Sequence, residues 1–129
     1  MNTTVSLHKL VSELVQSLMP LTVKHHNLIL NEVPRDLCVG ADENMLAYVL
    51  WSLINGAIQS KHNECIHIEG VAMDDCMMIR IKDVGTYFRH TICREYRQVQ
   101  HVAERLGGSI SIENGRNAAF CISNSLLAA

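Results

Sequence analysis

The sequence lacks any long apolar run, so no stretch approaches the roughly 20 residues that a membrane-spanning helix needs, and no membrane is expected as a partner. Charge of one sign is also missing. Eleven Lys and Arg against thirteen Asp and Glu leave a formal net charge of −2. A chain this balanced has no field to gather nucleic acid, so no nucleic acid is expected either. The start, MNTTVSLHKL, has no basic-then-apolar leader, and no repeat, low-complexity tract or linker interrupts the chain. Cysteine is present five times, at Cys38, Cys65, Cys76, Cys93 and Cys121, but never as C-x-x-C. An odd, scattered set suits reduced, mostly buried thiols in a cytoplasmic protein. What remains is 129 residues, 48% hydrophobic, enough for a real core and read as one domain over 1–129.

The strongest pattern runs from Asp42 to Ser60. Met45, Leu46, Val49, Leu50, Leu53, Ile54, Ala57 and Ile58 recur at the three-four spacing of an amphipathic helix. Asp42 stands where a cap belongs, since its carboxylate accepts from the free N–H groups of the first turn. About five turns with so continuous an apolar face must pack on a sheet or on other helices. Gly56 falls inside this helix, where glycine costs about 1 kcal/mol against alanine; close packing on a sheet is the plain reason for keeping it.

Before that helix, Ser6 is placed to cap a first one, with Leu7, Leu10, Val11, Leu14, Leu18 and Leu21 as its stripe. Pro20 bends or ends it. Lys24-His25-His26-Asn27 reads as the exit, with Asn27 expected in the left-handed cap. Leu28-Ile29-Leu30 is a short strand, Val33-Pro34-Arg35-Asp36 a turn, and Cys38-Val39 another brief extended piece. After Ser60 the period becomes two. Residues 65–71 and 77–82 alternate around Asp74-Asp75 as a β-hairpin, which Asp83-Val84-Gly85 closes. A last helix is expected from Thr91 to Leu106, with Ile92, Tyr96, Val99, Ala103 and Leu106 on one face and Gly107-Gly108 at its end. Residues 109–112 and 119–122 then flank Asn114-Gly115 as a second hairpin. The order predicts a two-layer α/β (α+β) sandwich, its mixed, largely antiparallel sheet covered on one face by about three helices.

These residues together carry a resemblance. The D-x-x-x-L-x-x-V-L helix from Asp42, the D-x-G at Asp83–Gly85 and the ending L-G-G-S-I-S-I-E-N from Leu106 stand in the order of one family. The chain resembles the catalytic ATP-binding domain of sensor histidine kinases, the Bergerat-type (GHKL) ATPase fold, over nearly its whole length. The resemblance implies an ATP-binding fold in two-component signalling. It also implies a site, against which this sequence departs at each chemical position. Family members carry two asparagines at i, i+4 on the central helix, the second coordinating magnesium; Ser52 and Gly56 stand there instead. Asn55 is one position early, and one residue turns a side chain by about 100° around a helix. In the D-x-G-x-G box, whose aspartate accepts from the adenine amino group, Asp83 and Gly85 match. The second glycine has become Tyr87, whose ring bars the close approach of backbone that glycine allows. The family's long lid and glycine-rich phosphate loop have no counterpart, and the phosphate-loop positions fall on Cys93-Arg94-Glu95. None of His8, His25, His26, His62, His67, His90 or His101 has the context of a phosphoacceptor, and no helical hairpin precedes the domain.

Each feature also has a plainer reading. Asp83 reads equally as a surviving adenine contact and as a strand-ending carboxylate that caps the turn into Gly85. Tyr87 and Phe88 either fill the vacated cleft or sit in a half-exposed loop. Arg89, Arg94, Arg97 and Arg105 offer a nucleic-acid face or a docking patch for an acidic partner, but Glu95 and Glu104 interrupt them as on an ordinary solvated helix. His90-x-x-Cys93 and Cys65-x-His67 lack a partner pair at structural-zinc spacing, so no metal is expected. The first reading is therefore a degenerate, non-hydrolysing relative of the kinase ATPase domain, without catalytic residues or cofactor. It acts by protein interaction with a kinase, a response regulator or a second copy of itself. The alternative is a module that holds ATP or ADP through Asp83 and Gly85 without magnesium chemistry. An active ATPase or kinase ranks third, since it needs phosphate ligands the sequence does not supply.

Overall fold

In a computed structural model the described residues are 2–82, 93–113 and 117–123, with backbone alone for 93–96. Strand β1 (Asn2–Ser6) leads into helix α1 (Leu7–Ser17), then α2 (Met19–Lys24), β2 (Leu28–Glu32) and β3 (Cys38–Asp42). The long helix α3 (Glu43–Ser60) follows, then the hairpin β4 (Cys65–Ala72) and β5 (Cys76–Ile81). Helix α4 (Cys93–Arg105), β6 (Gly108–Glu113) and β7 (Asn117–Ser123) complete the order.

Five strands form the main sheet in the order β2-β4-β5-β7-β6. Only β2 and β4 run parallel; the other pairs are antiparallel. The helices and sheet enclose one core. Ile68, Ile81 and Ala118 form one buried row across the sheet, and Ile79, Phe120 and Ile110 the next. The opposite face alternates as a half-solvated sheet should, with Glu69, Arg80, Cys121 and Ser109 pointing away from the core. Gly70 belongs to the inner face because a methyl there would meet Leu37 Cδ2 at 2.8 Å and Val33 Cγ1 at 3.1 Å.

The expected elements are present, with differences of detail. The first helix breaks at Leu18, and Pro20 sits at the start of α2, where its missing N–H is no loss. Ser6 caps α1 by accepting from the Lys9 N–H at 3.4 Å, and Asp42 caps α3 through the Met45 N–H at 3.1 Å. His26, not Asn27, takes the left-handed conformation, with φ 56°. Asn27 has another task. Its Nδ2 donates to the Ile58 and Lys61 carbonyls, both at 3.0 Å, and its Oδ1 accepts from the Glu64 N–H at 3.1 Å. This fastens the end of α3 to the start of β2. Strand β1 was not anticipated. It pairs antiparallel with β3 in a separate two-stranded sheet, so the extended piece at Cys38-Val39 is longer than its two residues and has a partner. Gly107 takes the left-handed position, φ 82°, that ends α4. The Asn114-Gly115 turn lies outside the described residues.

Candidate functional site

Helix α3 carries Ser52, Asn55 and Gly56, the positions the resemblance singles out. The sequence makes it apolar on one face, and the fold encloses more than that: 52–54 and 56–58 are all buried. This follows from position, for α1 and α4 both pack against α3 over the sheet. The line Ser52–Gly56 is therefore interior. Ser52 is 3% exposed, and its hydroxyl donates to the Tyr48 carbonyl of its own helix at 2.8 Å. Its hydrogen bond is thus made within the helix, and Gly56 brings no side-chain ligand.

Asn55 lies on a different line. Together with exposed Trp51 and Gln59 it follows the outward i, i+4 row, and its Oδ1 accepts from Gln59 Nε2 at 3.1 Å. The rotation expected from a one-residue offset is what the helix displays. Asn55 is not turned onto the Ser52–Gly56 line.

At the far end of β5, Ile81 closes the strand pairing, and the Lys82 N–H donates to the His67 carbonyl at 3.0 Å. Asp83 and Gly85, the residues matched to the adenine box, lie outside the described residues, as do Tyr87 and Phe88. The interval itself is informative. Between Ile81 and Cys93 the chain has 11 residues, from 82 to 92. Cys93-Arg94-Glu95, expected from the sequence at the phosphate-loop positions, form the first turn of α4. The N–H groups of a first helical turn have no partner within the helix, so what separates this turn from a glycine-rich phosphate nest is its regular helical backbone and its lack of glycine.

The other candidate groups are dispersed. Arg97, Glu104 and Arg105 are all exposed on α4, a solvated mixed-charge face, while Val99 and Ala103 are buried beneath. Arg89 and His90 lie outside the described residues, as does the Arg94 side chain. His67 is engaged by Glu32, with Nδ1 to Oε1 at 2.6 Å, and does not join Cys65 around a common point. Among the described residues no three His, Cys, Asp or Glu side chains converge as metal ligands would. No helix among them is long and apolar enough to cross a membrane.

Three local groupings were not legible in the sequence. On the open face of the sheet, Arg80 forks onto Glu113, with Nε to Oε1 at 2.6 Å and Nη2 to Oε2 at 3.4 Å. Glu69 bridges Arg80 at 3.7 Å to Lys82 at 3.2 Å. The Arg80 hydrogen bond lowers the Glu113 carboxyl below its ordinary range against the opposing cost of burial. Farther along that face, the Cys121 thiol is pushed up to about 11 by burial and by its hydrogen bond to Cys76. At the helical side, His25 Nδ1 and His62 Nδ1 stand 3.2 Å apart, so one ring donates and the other accepts. Burial, then the neighbouring His62 and Lys24, lowers the His25 pKa. Cross-strand register builds the pairs on the sheet, and register is invisible without knowing which strands neighbour each other; the His25–His62 pair comes from two helix ends brought together by the fold.

Compared by sequence, the chain matches no family model and no curated protein. Compared by fold, it is similar to histidine kinases. It superposes on the nucleotide-free catalytic domain of histidine kinase ThkA with a TM-score of 0.72 and 22% identity, covering 96% of each chain. Histidine kinase AdeS from Acinetobacter baumannii gives a TM-score of 0.76 at 15% identity, over 96% of this chain and 68% of AdeS. ThkA in complex with the response regulator TrrA gives 0.74 at 21% identity, over 95% of this chain and 42% of that one. The chain has the α/β fold of histidine-kinase catalytic domains.

Proposed function

We propose that this chain is a signalling module that uses the histidine-kinase ATPase fold to bind protein and has given up the groups that grip magnesium and triphosphate. The observation that carries this reading is the state of α3. Ser52 and Gly56 occupy the two positions where that fold's asparagines are expected, and Asn55 is turned onto the outer row and bonded to Gln59. The 11-residue interval from β5 to α4, with Cys93-Arg94-Glu95 in the helix, supports the loss of lid and phosphate loop. The partner on this reading is a kinase, a response regulator, as in the ThkA–TrrA complex, or a second copy of the chain. Exposed Met19 and Val23 on α2 and Leu28 and Leu30 on the adjoining edge strand β2 support a protein contact. Free thiols at Cys38, Cys65, Cys76 and Cys121 suit a cytoplasmic setting.

A second reading rests on the D-x-G that follows β5: Asp83 and Gly85 hold the adenine of ATP or ADP without magnesium. Calorimetric titration with an ATP analogue, with and without magnesium, separates the two. No heat at millimolar nucleotide supports the first reading. Magnesium-independent binding lost in Asp83→Asn supports the second, and magnesium-dependent turnover contradicts both.

A further inference from the structure

The two outer strands of the main sheet are finished differently. At the β6 edge, the Ile110 N–H is taken by Gln100 Oε1 of α4 at 3.1 Å. Strand β2 forms the other edge and has no such cover. Its Leu28 N–H donates to the Glu64 carbonyl at 2.9 Å, so in this parallel ladder Leu28, Leu30 and Glu32 turn their N–H and C=O groups toward β4. Ile29 and Asn31 therefore turn theirs outward. Among the described residues no hydrogen bond reaches those four backbone groups.

Exposed edges are ordinarily blunted by lysine, proline or a bulge. Strand β2 has none of these. Its register with β4 runs unbroken from Leu28 to Glu32, and its one charge, Glu32, is drawn back onto His67 Nδ1 at 2.6 Å. Leu28 and Leu30 lie in register with Cys65 and His67 on the open face, 61% and 37% exposed. On the helix side, Met19 and Val23 of α2, which packs on β2, extend the exposed apolar surface.

We propose that β2 pairs antiparallel with β2 of a second copy of this chain, across a two-fold axis at Leu30, so that the two sheets become one. The inference rests on the protein-binding reading above and names its partner. Groups already in use select the register. An axis at Ile29 would need the Asn27 N–H, which donates to the Thr22 carbonyl at 3.0 Å. An axis at Asn31 would need Val33, whose N–H donates to Asn31 Oδ1 at 3.2 Å and whose carbonyl accepts from His8 Nδ1 at 2.8 Å. An axis at Leu30 sets Ile29 of each copy against Asn31 of the other, and every outward N–H then finds an outward carbonyl. The two Leu30 side chains meet at the axis, at the closest spacing of an antiparallel ladder, with each Leu28 diagonal to them. One edge thus supplies both halves of the contact, donor to acceptor and leucine to leucine, and such an isologous pairing closes at a dimer.

Sedimentation velocity of the full chain over a concentration series tests the dimer. A monomer–dimer equilibrium is expected at or below about 0.1 mM. Leu30→Glu and Leu30→Lys should each weaken it about tenfold or more, because like charges then oppose each other at the axis. Mixed in equal amounts, the two variants should associate again, since residue 30 meets its own counterpart. Val71→Lys, on the same open face but on β4, should leave the equilibrium unchanged. Circular dichroism of each variant establishes that it is folded. A chain still monomeric at about 0.1 mM would overturn the proposal. So would a dimer indifferent to both Leu30 variants, one weakened equally by Val71→Lys, a mixture that stays monomeric, or assemblies that grow beyond two copies. This failure is distinct from that of the protein-binding reading, which nucleotide titration tests: a monomer that binds no nucleotide overturns the dimer and leaves that reading with another partner.

Discussion

At Gly108 the backbone of β6 lies so close to β7 that an added methyl would overlap the Cys121 carbonyl oxygen and press on Phe120 Cε1 at 2.9 Å. The obstacle is backbone, which cannot swing aside, so Gly108→Ala should destabilise by about 1–3 kcal/mol, the usual range for overpacking. Urea unfolding of the two proteins measures it. Ser52 is the opposite case. Although buried, its hydroxyl bonds only to the preceding turn of its own helix. Such back-bonding slightly weakens a helix, so Ser52→Ala should change stability by less than about 1 kcal/mol. A loss of several kcal/mol in urea unfolding would mean that the hydroxyl serves something beyond the helix. Both residues stand out in the sequence, but only the fold tells them apart: one is set by a neighbouring strand, the other by its own turn.

Titration belongs to this scale too. His25 has its pKa lowered from 6.5 by burial, then by His62 and Lys24, so the folded state favours its neutral form. Above 6.5 this costs nothing; as pH falls below it, the unfolded chain takes the proton more readily and stability drops. Glu113, held down by the Arg80 hydrogen bond, and Asp42, held down first by the Met45 N–H, act lower on the scale. Their stabilisation is present above their unfolded values of 4.5 and 3.8 and is lost as pH falls through the lowered folded values. Chemical denaturation should therefore show two declines on acidification, and His62→Gln should lessen only the one at higher pH, since burial still holds the His25 pKa down.

Among the elements, α3 bears the most weight. Leu46, Val49, Leu50, Leu53 and Ile54 are essentially inaccessible, so Leu50→Ala should cost about 2–5 kcal/mol through lost burial and the cavity left behind. A thermal-melting decrease much smaller than that would show that neighbouring helices collapse into the space. The helix and both hairpins were legible because periodicity and turn residues announce them. Strand β1 was not. Asn2-Thr3-Thr4 is polar and exposed, and only pairing with β3 makes the segment extended. His26 replacing Asn27 at the left-handed position has a similar cause. The three hydrogen bonds of the Asn27 side chain reach residues 31 to 37 positions away, which no local propensity foresees.

Over the whole molecule, a fold shared with histidine kinases is retained at 22% identity or less in the three structures compared above, which only core pattern and topology can explain. The sequence carried that pattern plainly, because burial constrains many positions at once. The candidate site was legible only as departures: Ser52, Gly56 and Asn55 could be placed by helical arithmetic, and the structure adds their bonding and burial. The Arg80 network could not be foreseen, since it depends on strand neighbours distant in sequence. The proposed function holds that the chain has given up the groups that grip a magnesium-bound triphosphate. A ligand present at 100 times its dissociation constant stabilises a fold by about 2.7 kcal/mol, which in a domain of this size raises the melting temperature by several degrees. Thermal melting in millimolar ATP and magnesium should leave the midpoint unchanged; a rise of several degrees that requires the metal would contradict it.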